Sequence, residues 1–389
     1  MKRLILLLDI ALAMVACGPS TPQDYYEIEG NVTNVEDGAV FYLFRLDGNA
    51  GTAIAHDTLQ SGKFYFRITP EAANKEHLTL LCWRDDFPSM AARIWAEAGD
   101  KVVITGEDKL VYTWKVKGPA PENRSSQRYI RCAKELYDQL QRVAIEENMV
   151  RLKGQEPNAD RELLQIQYDS LGREQMQLVK KIHECLIGHM KRCKMDEVGM
   201  MHLNEMASLC KYDTEYPHRK EVEEIFGSLG EEWYNHPAYE QIQIQLYPPQ
   251  EATIGEPMID GEFYDLEGSS HTLSELSGYY ILLDMWSRGC GPCIMALPEM
   301  GEIAEKYKDR LRVVSITTDT DKVWREASER HTMSWHNWSD GKQESGIYAH
   351  YDQGGIPNYT LISPDGMIID RWMGYGTGSL LQKVAEHLE

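Results

Sequence analysis

At 389 residues the chain is too long for one ordinary domain, so two or three are expected. Hydrophobic residues make up 42% of it, enough for packed cores, and a formal net charge of −21 excludes nucleic acid as a partner, because nothing would neutralise phosphates. Eight cysteines are too few for a disulfide scaffold at this length.

The chain opens with a short basic region, Lys2-Arg3. Residues 4–16 are apolar apart from Asp9, and Cys17-Gly18 follows. A run of 13 residues suits a signal-peptide core and is too short to span a bilayer as a helix. Ala16 ahead of Cys17 resembles the cleavage site of bacterial lipoproteins. That resemblance implies a leader over residues 1–16, acylation of Cys17, a tether over 17–24, and a lipid anchor in the cell envelope of a Gram-negative bacterium, facing the periplasm. The competing expectation is a soluble secreted protein cut nearby.

Residues 25–118 read as β structure. Tyr26, Ile28 and Val32 alternate with Glu27, Glu29 and Asn31, and Phe64, Phe66 and Ile68 alternate with Tyr65, Arg67 and Thr69. Turn signals at Asp37-Gly38, Asp47-Gly48, Ser61-Gly62 and Gly99-Asp100 separate the runs. Short strands at this spacing predict a small all-β sandwich. His56-Asp57 is read as a polar pair at a strand end, not as a catalytic pair.

Gly118-Pro119-Ala120-Pro121 marks a boundary, and residues 119–250 read as a helical region ending in a linker at Tyr247-Pro248-Pro249. Ser125 and Ser126 are the expected N-caps of its first helix. Ile130, Ala133, Tyr137, Leu140 and Ala144 recur at helical spacing. After a break over 154–158, Leu164, Tyr168, Leu171, Val179, Ile182 and Leu186 are expected to form the buried stripe of a long helix. Cys185, His189 and Cys193 share one helical face with methionines nearby, ligands that would suit a soft metal. Ordinary core packing explains the same pattern, so no metal is expected.

From residue 251 to 389 strands and helices alternate, which implies a sheet containing parallel strands with helices on both faces. Residues 279–285 are a mostly apolar run, suited to a strand buried on both sides. The run stops at a turn carrying Cys290-Gly291-Pro292-Cys293, and the turn opens a helix. Pro292 fits a first helical turn. Leu297, Met300, Ala304 and Tyr307 are expected to form its buried face. Cys290 therefore sits at a helix N-terminus, where free N–H groups and the helix dipole favour a thiolate. Cys293, one turn on, is within reach of a disulfide. Half a zinc site has the same spacing, but no second Cys-x-x-Cys exists in the chain, and the strand-to-helix context favours redox chemistry. Residues 311–316 form the next strand after a right-handed crossover. Residues 359–362 and 368–371 flank Ser363-Pro364-Asp365-Gly366 as a hairpin, and 380–388 form a closing helix.

Asp284-x-Trp286-x-x-x-Cys290-Gly291-Pro292-Cys293 resembles the buried acid, supporting tryptophan and active-site pair of the thioredoxin family. Gly354-Gly355-Ile356-Pro357 resembles that family's loop with a cis proline. Ile254-Gly255-Glu256-Pro257 and Leu273-Ser274-Glu275-Leu276-Ser277-Gly278 resemble the extension of its TlpA/ResA-like branch of envelope thiol–disulfide oxidoreductases. The resemblance covers residues 253–389, and the β region resembles a domain of unknown function found ahead of such domains in lipoproteins. It implies an α/β thioredoxin-like domain over 251–389, behind a β sandwich and a helical region. Two positions depart from the pattern: Ala296 replaces a glutamate common in the branch, and Gly289 replaces the usual tryptophan.

The resemblance also implies roles. Cys290 attacks a substrate disulfide as a thiolate and Cys293 resolves the mixed disulfide. Asp284, its pKa raised by burial, takes the proton from Cys293 through a water. Gly291, Pro292, Ile356, Pro357 and Trp286 are the expected substrate contacts, with the Ile356 backbone pairing with an extended substrate. No cofactor is expected. The expected partners are disulfides and thiols of envelope proteins, a membrane thiol reductase as electron donor, and the membrane through the lipid anchor. The activity expected is that of a reductase or isomerase, with cytochrome c maturation as one possible task. A thiol peroxidase, and a partner-binding lipoprotein that uses the domain for docking, are the alternatives.

Overall fold

The computed structural model describes residues 24–47, 50–71 and 74–389. Cys17, the expected leader and nearly all of the tether lie outside them. Eight strands come first: β1 (Tyr26–Val32), β2 (Val40–Asp47), β3 (Ala50–Thr58), β4 (Lys63–Ile68), β5 (Glu76–Cys82), β6 (Ala92–Ala96), β7 (Lys101–Gly106) and β8 (Lys115–Lys117). They form two four-stranded sheets, β4-β1-β7-β8 and β3-β2-β5-β6. The period-two patterns place Tyr26, Ile28, Phe64 and Phe66 inside with residues of the other sheet. Across the gap the Phe41 ring lies 4.9 Å from that of Phe64 and 5.4 Å from that of Trp114, so the sheets pack face to face. Asp57 accepts the N–H groups of Thr58 and Tyr65, each at 2.8 Å, while His56 packs on Tyr42.

Six helices follow: α1 (Pro121–Cys132), α2 (Lys134–Lys153), α3 (Arg161–Met190), α4 (Glu197–Tyr212), α5 (Arg219–Gly227) and α6 (Pro237–Leu246). The first begins earlier than Ser125, at Pro121, because a proline at the first helical position gives up no needed N–H. Ser125 and Ser126 are buried within it, and the Ser125 hydroxyl donates to Asp196. The stripe expected along α3 is buried only in its second half. Ile182 and Leu186 enter the helical core with Tyr129, Met200 and Leu203. The first half touches little but α2, so Leu164, Tyr168 and Leu171 are half-buried and Leu163 and Ile166 are exposed. The α2–α3 hairpin thus projects from the helical core. On α3, His189 stacks edge-on against Tyr129 and its Nδ1 lies 3.9 Å from the Cys193 sulfur, while Cys185 packs against the helical core. Among the described residues, no three His, Cys, Asp or Glu side chains gather as a metal site.

The last part contains β9 (Phe263–Tyr264), β10 (Ser270–His271), β11 (Tyr280–Trp286), α7 (Gly291–Lys306), β12 (Leu311–Thr317), α8 (Asp321–Arg330), β13 (His336–Trp338), α9 (Ile347–Tyr351), β14 (Asn358–Ile362), β15 (Ile368–Met373) and α10 (Ser379–Leu388). Its five-stranded sheet has the order β13-β12-β11-β14-β15. Strands β11, β12 and β13 run parallel, and β14 and β15 form an antiparallel hairpin beside β11. Central β11 is covered on both sides. Ile281, Leu283 and Met285 pack with Phe263 and Tyr351, and Leu282 packs with Met300, Ile303 and Val384. The buried face of α7 is Ala296, Met300, Ile303 and Tyr307. The sequence spacing had favoured Leu297 and Ala304, which are half-buried flanks, because Cys293 points inward and sets the helix phase. Among the described residues, no helix is long and apolar enough to cross a membrane.

The β and helical regions are joined by buried amides. The Asn123 side chain, fully buried, accepts the Trp95 N–H at 3.0 Å and donates to the Trp95 carbonyl at 2.7 Å. Gln141 likewise accepts the Tyr112 N–H at 2.9 Å. Removing Asn123 leaves both Trp95 groups buried and unpaired. Asn123→Leu is expected to lower the unfolding free energy by about 2–4 kcal/mol, read from the denaturant midpoint of the far-UV transition.

Candidate active site

Strand β11 ends at Trp286, and a short turn brings the chain back into α7. Cys290 is the N-cap of that helix, with its sulfur 3.1 Å from the Cys293 nitrogen, whose N–H it accepts. The same free donors favour a thiolate here once the pair is reduced. Cys290 and Cys293 are joined as a disulfide. Cys290 is half-exposed and Cys293 is 2% exposed, so only the first sulfur faces solvent. Gly291 and Pro292 between them are exposed, and Pro292 occupies the first helical turn. The turn is fixed from below by Asp319, whose carboxylate accepts the Arg288 N–H at 2.7 Å.

Asp284 is fully enclosed in the centre of β11. It shares a strand face with Leu282, which packs under α7, and with Trp286, which packs on Cys293. The carboxyl therefore lies beneath the first turns of α7, on the side of the buried cysteine. Its polar contact is the Ser315 hydroxyl, which donates to Oδ2 at 2.8 Å and itself accepts the Trp335 indole N–H at 2.9 Å. Burial pushes the Asp284 carboxyl up to about 7, against a smaller opposing effect of the Ser315 hydrogen bond. Tyr359 stands opposite Asp284 in the β11–β14 register and is fully buried.

The second loop of the site carries Ile356 and Pro357, joined by a cis peptide bond. Ile356 packs against the same small cluster as Cys290, Cys293 and Trp286, so four of the expected site residues are brought together there. Trp286 requires a correction. It was expected to contact substrate, but its exposure is 0% and its ring lies among Cys293, Trp324 and Ala327. It supports the redox turn from beneath and presents no surface to a substrate. The apolar surface at the rim is supplied instead by Met295, 61% exposed, and Met373, 54% exposed, whose sulfur lies beside Gly355.

Three further features were not read from the sequence. The Asp352 carboxylate, just ahead of the cis-proline loop, accepts from Lys211 and Tyr212 of α4, from the Tyr348 hydroxyl at 2.9 Å and from the Gly354 N–H at 2.8 Å. Arg288, two residues before Cys290, reaches Glu326 at 3.1 Å and the Thr52 hydroxyl of β3 at 2.9 Å. Thr320 and Lys322 add contacts to Asp47 and Glu71. These pairs join segments more than a hundred residues apart, so no local pattern signals them. Glu299, one turn beyond Ala296, is also buried. It accepts from Tyr375 and from the Gly378 and Leu381 N–H groups, which caps α10.

Comparison with known proteins places this geometry. The AhpC/TSA family model matches residues 254–371. A thiol-disulfide oxidoreductase ResA of Bacillus thuringiensis is 28% identical over 120 residues, covering 30% of this chain and 68% of that protein. A thioredoxin of Griffithsia pacifica is 32% identical over 84 residues, covering 21% of this chain and 72% of that protein. The chain belongs to the thioredoxin family. It is an oxidoreductase acting on thiols and disulfides. The solved thioredoxin domain of a Bacteroides vulgatus thiol-disulfide oxidoreductase is 24% identical over 35% of this chain and 99% of that one, with a TM-score of 0.33. Residues 254–371 run from before β9 into β15, so the thioredoxin-family part holds both loops of the site.

Two outcomes follow from the site. Asp284 has a folded-state pKa of about 7 against 3.8 for the free side chain. Folding then disfavours the charged form, so the penalty is absent below about pH 4, grows as pH rises, and reaches roughly 4 kcal/mol above pH 7. Asp284→Asn is expected to be more stable than the parent at pH 8 by about 2–4 kcal/mol, with the difference gone at pH 4, measured by urea unfolding. Asp352→Ala releases the Gly354 amide and both α4 contacts. Amide exchange across residues 353–356 should quicken about tenfold, with β11 unaffected, as read by hydrogen-exchange mass spectrometry.

Proposed function

We propose that this chain is a membrane-tethered thiol–disulfide oxidoreductase that reduces disulfides of envelope proteins through Cys290 and Cys293. The observation that carries the reading is the asymmetry of the pair: a half-exposed sulfur at a helix N-terminus above a buried one on the side of a buried carboxyl. In the reduced enzyme the Cys290 thiolate attacks a substrate disulfide, forms a mixed disulfide and expels one substrate thiolate. Cys293 gives its proton to Asp284, through a water, and attacks the Cys290 sulfur. The second substrate thiolate leaves, and two electrons have passed from the dithiol to the substrate. A membrane thiol reductase then restores the dithiol, as an oxidising compartment requires.

The cis Ile356–Pro357 loop faces the same cluster as Cys290 and offers backbone groups to an extended substrate. Gly291 and Pro292, both exposed, complete the contact surface. The apolar run over residues 4–16 followed by Cys17 supports acylation and a lipid anchor facing the periplasm. Reduction of apocytochrome cysteines before haem attachment is one task that suits such an enzyme.

The reduction potential of the Cys290–Cys293 couple in a glutathione or dithiothreitol buffer tests the direction of electron flow. A value near that of thioredoxin fits a reductase, a value near that of a disulfide isomerase shifts the task to isomerisation, and no reversible couple refutes the reading. Cys290→Ser should abolish disulfide reduction, and Cys293→Ser should accumulate mixed disulfides visible on a non-reducing gel. Asp284 must be ionised to take a proton, so resolution should rise with pH through about 7. Asp284→Asn should slow it about 10- to 100-fold at pH 7 and flatten that rise, measured by single-turnover fluorescence.

A further inference from the structure

A groove of about 710 Å³ runs between the edge strand β8 and helix α1, far in sequence from the redox loops. Val116 and Ile130 lie at its floor. Lys115 and Lys117 are the exposed residues of β8, on either side of buried Val116. Arg124, Arg128 and Arg131 line the facing wall at steps of four and three residues, so they share one face of α1 over roughly 10 Å. Lys134, at the start of α2, extends the row.

None of the residues lining this groove is acidic, although the chain as a whole carries a net charge of −21. Arg128 is paired with Asp196 at 3.1 Å, and Lys134 with Asp138. Lys115, Lys117, Arg124 and Arg131 have no ion-pair partner among the described residues. The Arg124 and Arg131 side chains donate only to backbone carbonyls, of Pro119 and Gln127. Four uncompensated cations around an apolar floor are a concentrated positive site on an acidic molecule. At physiological salt the Debye length is about 8 Å, so the distant acidic surface does little to cancel them at contact.

We propose that the groove between β8 and α1 binds an extended acidic segment of a partner polypeptide. The shape selects the occupant. A membrane surface is flat and broad and meets convex patches, whereas a narrow channel with cations on both walls admits a single extended chain whose carboxylates reach both sides. The floor residues Val116 and Ile130 accept its aliphatic stems. The inference stands apart from the redox reading, since no residue of the groove belongs to the active site.

The test is fluorescence anisotropy of a fluorescein-labelled hexaglutamate peptide titrated with the full chain. Saturable binding is expected at 50 mM salt, weakened about tenfold or more at 300 mM. The variant Lys115→Gln/Lys117→Gln/Arg124→Gln/Arg131→Gln should weaken it about tenfold or more. A control variant that removes four charges at the exposed Lys63, Lys153, Lys220 and Arg330 should bind within about twofold of the parent. Matching urea midpoints for both variants and the parent show that the fold is kept. Absence of saturable binding overturns the proposal, as does an equal loss in the control variant. Tighter binding to phosphatidylglycerol vesicles or to a single-stranded oligonucleotide, lost in the groove variant, overturns it in favour of a lipid or nucleic-acid site.

Discussion

An ionisable carboxyl at the middle of a buried strand is the constraint that the redox part of the molecule is built around. Asp284 has Ser315 beside it and apolar side chains on the rest of its surface, so the strand that carries it is stable only while the carboxyl stays neutral or has a use for its charge. The surrounding order follows. Trp286 and Leu282 seal the same face of β11, α7 closes over them, and the helix phase that covers Asp284 also turns Cys293 inward. Cys290, as the N-cap, is left at the surface with a backbone N–H directed at its sulfur. One buried acid and one helix start thereby make two chemically unlike sulfurs out of a symmetrical pair.

The two loops of this site are braced from opposite directions. Arg288, leading into the cysteines, is held by Glu326 within its own part of the chain and by Thr52 from the β region. Asp352, leading into the cis proline, is held by Lys211 and Tyr212 from the helical region. Buried, multiply bonded charges such as Asp352 fix geometry more than they add stability, since their desolvation offsets much of the attraction. The β and helical regions therefore act on the redox part at the loops that carry its chemistry.

Much of this was legible in the sequence because the signals are local. Alternation sorted the faces of β1 and β4, and the strand–turn–helix around Cys290 is written within fifteen consecutive residues. Ala296 was noted as a missing acid, while Glu299, one turn on, was not foreseen as the buried cap of α10. What the sequence hid was set by distance or by competition between equal patterns. The partners Ser315 and Trp335 of Asp284 lie on other elements, and Thr52 is 236 residues from Arg288. The α3 stripe looked uniform, yet burial depends on what stands opposite, and its first half has only α2 there. The start of α1 was misplaced because Ser125 and Ser126 are good caps in general, while Pro121 is already suited to the first turn.

The contact of Arg288 with Thr52 also governs the route by which another protein reaches the sulfur. The end of β3 stands directly against the approach to Cys290, so that flank is occupied by the chain itself. The open flank runs over Gly291, Met295, Gly354 and Met373, where side chains are short or flexible and nothing overhangs the disulfide. A visiting cysteine must therefore come on a strand or loop that stands clear of its own domain on one side. A disulfide recessed in a broad flat face would meet the β region before its sulfur met Cys290. Selection among substrates is in this sense a matter of clearance, set by a domain that contributes no reacting atom.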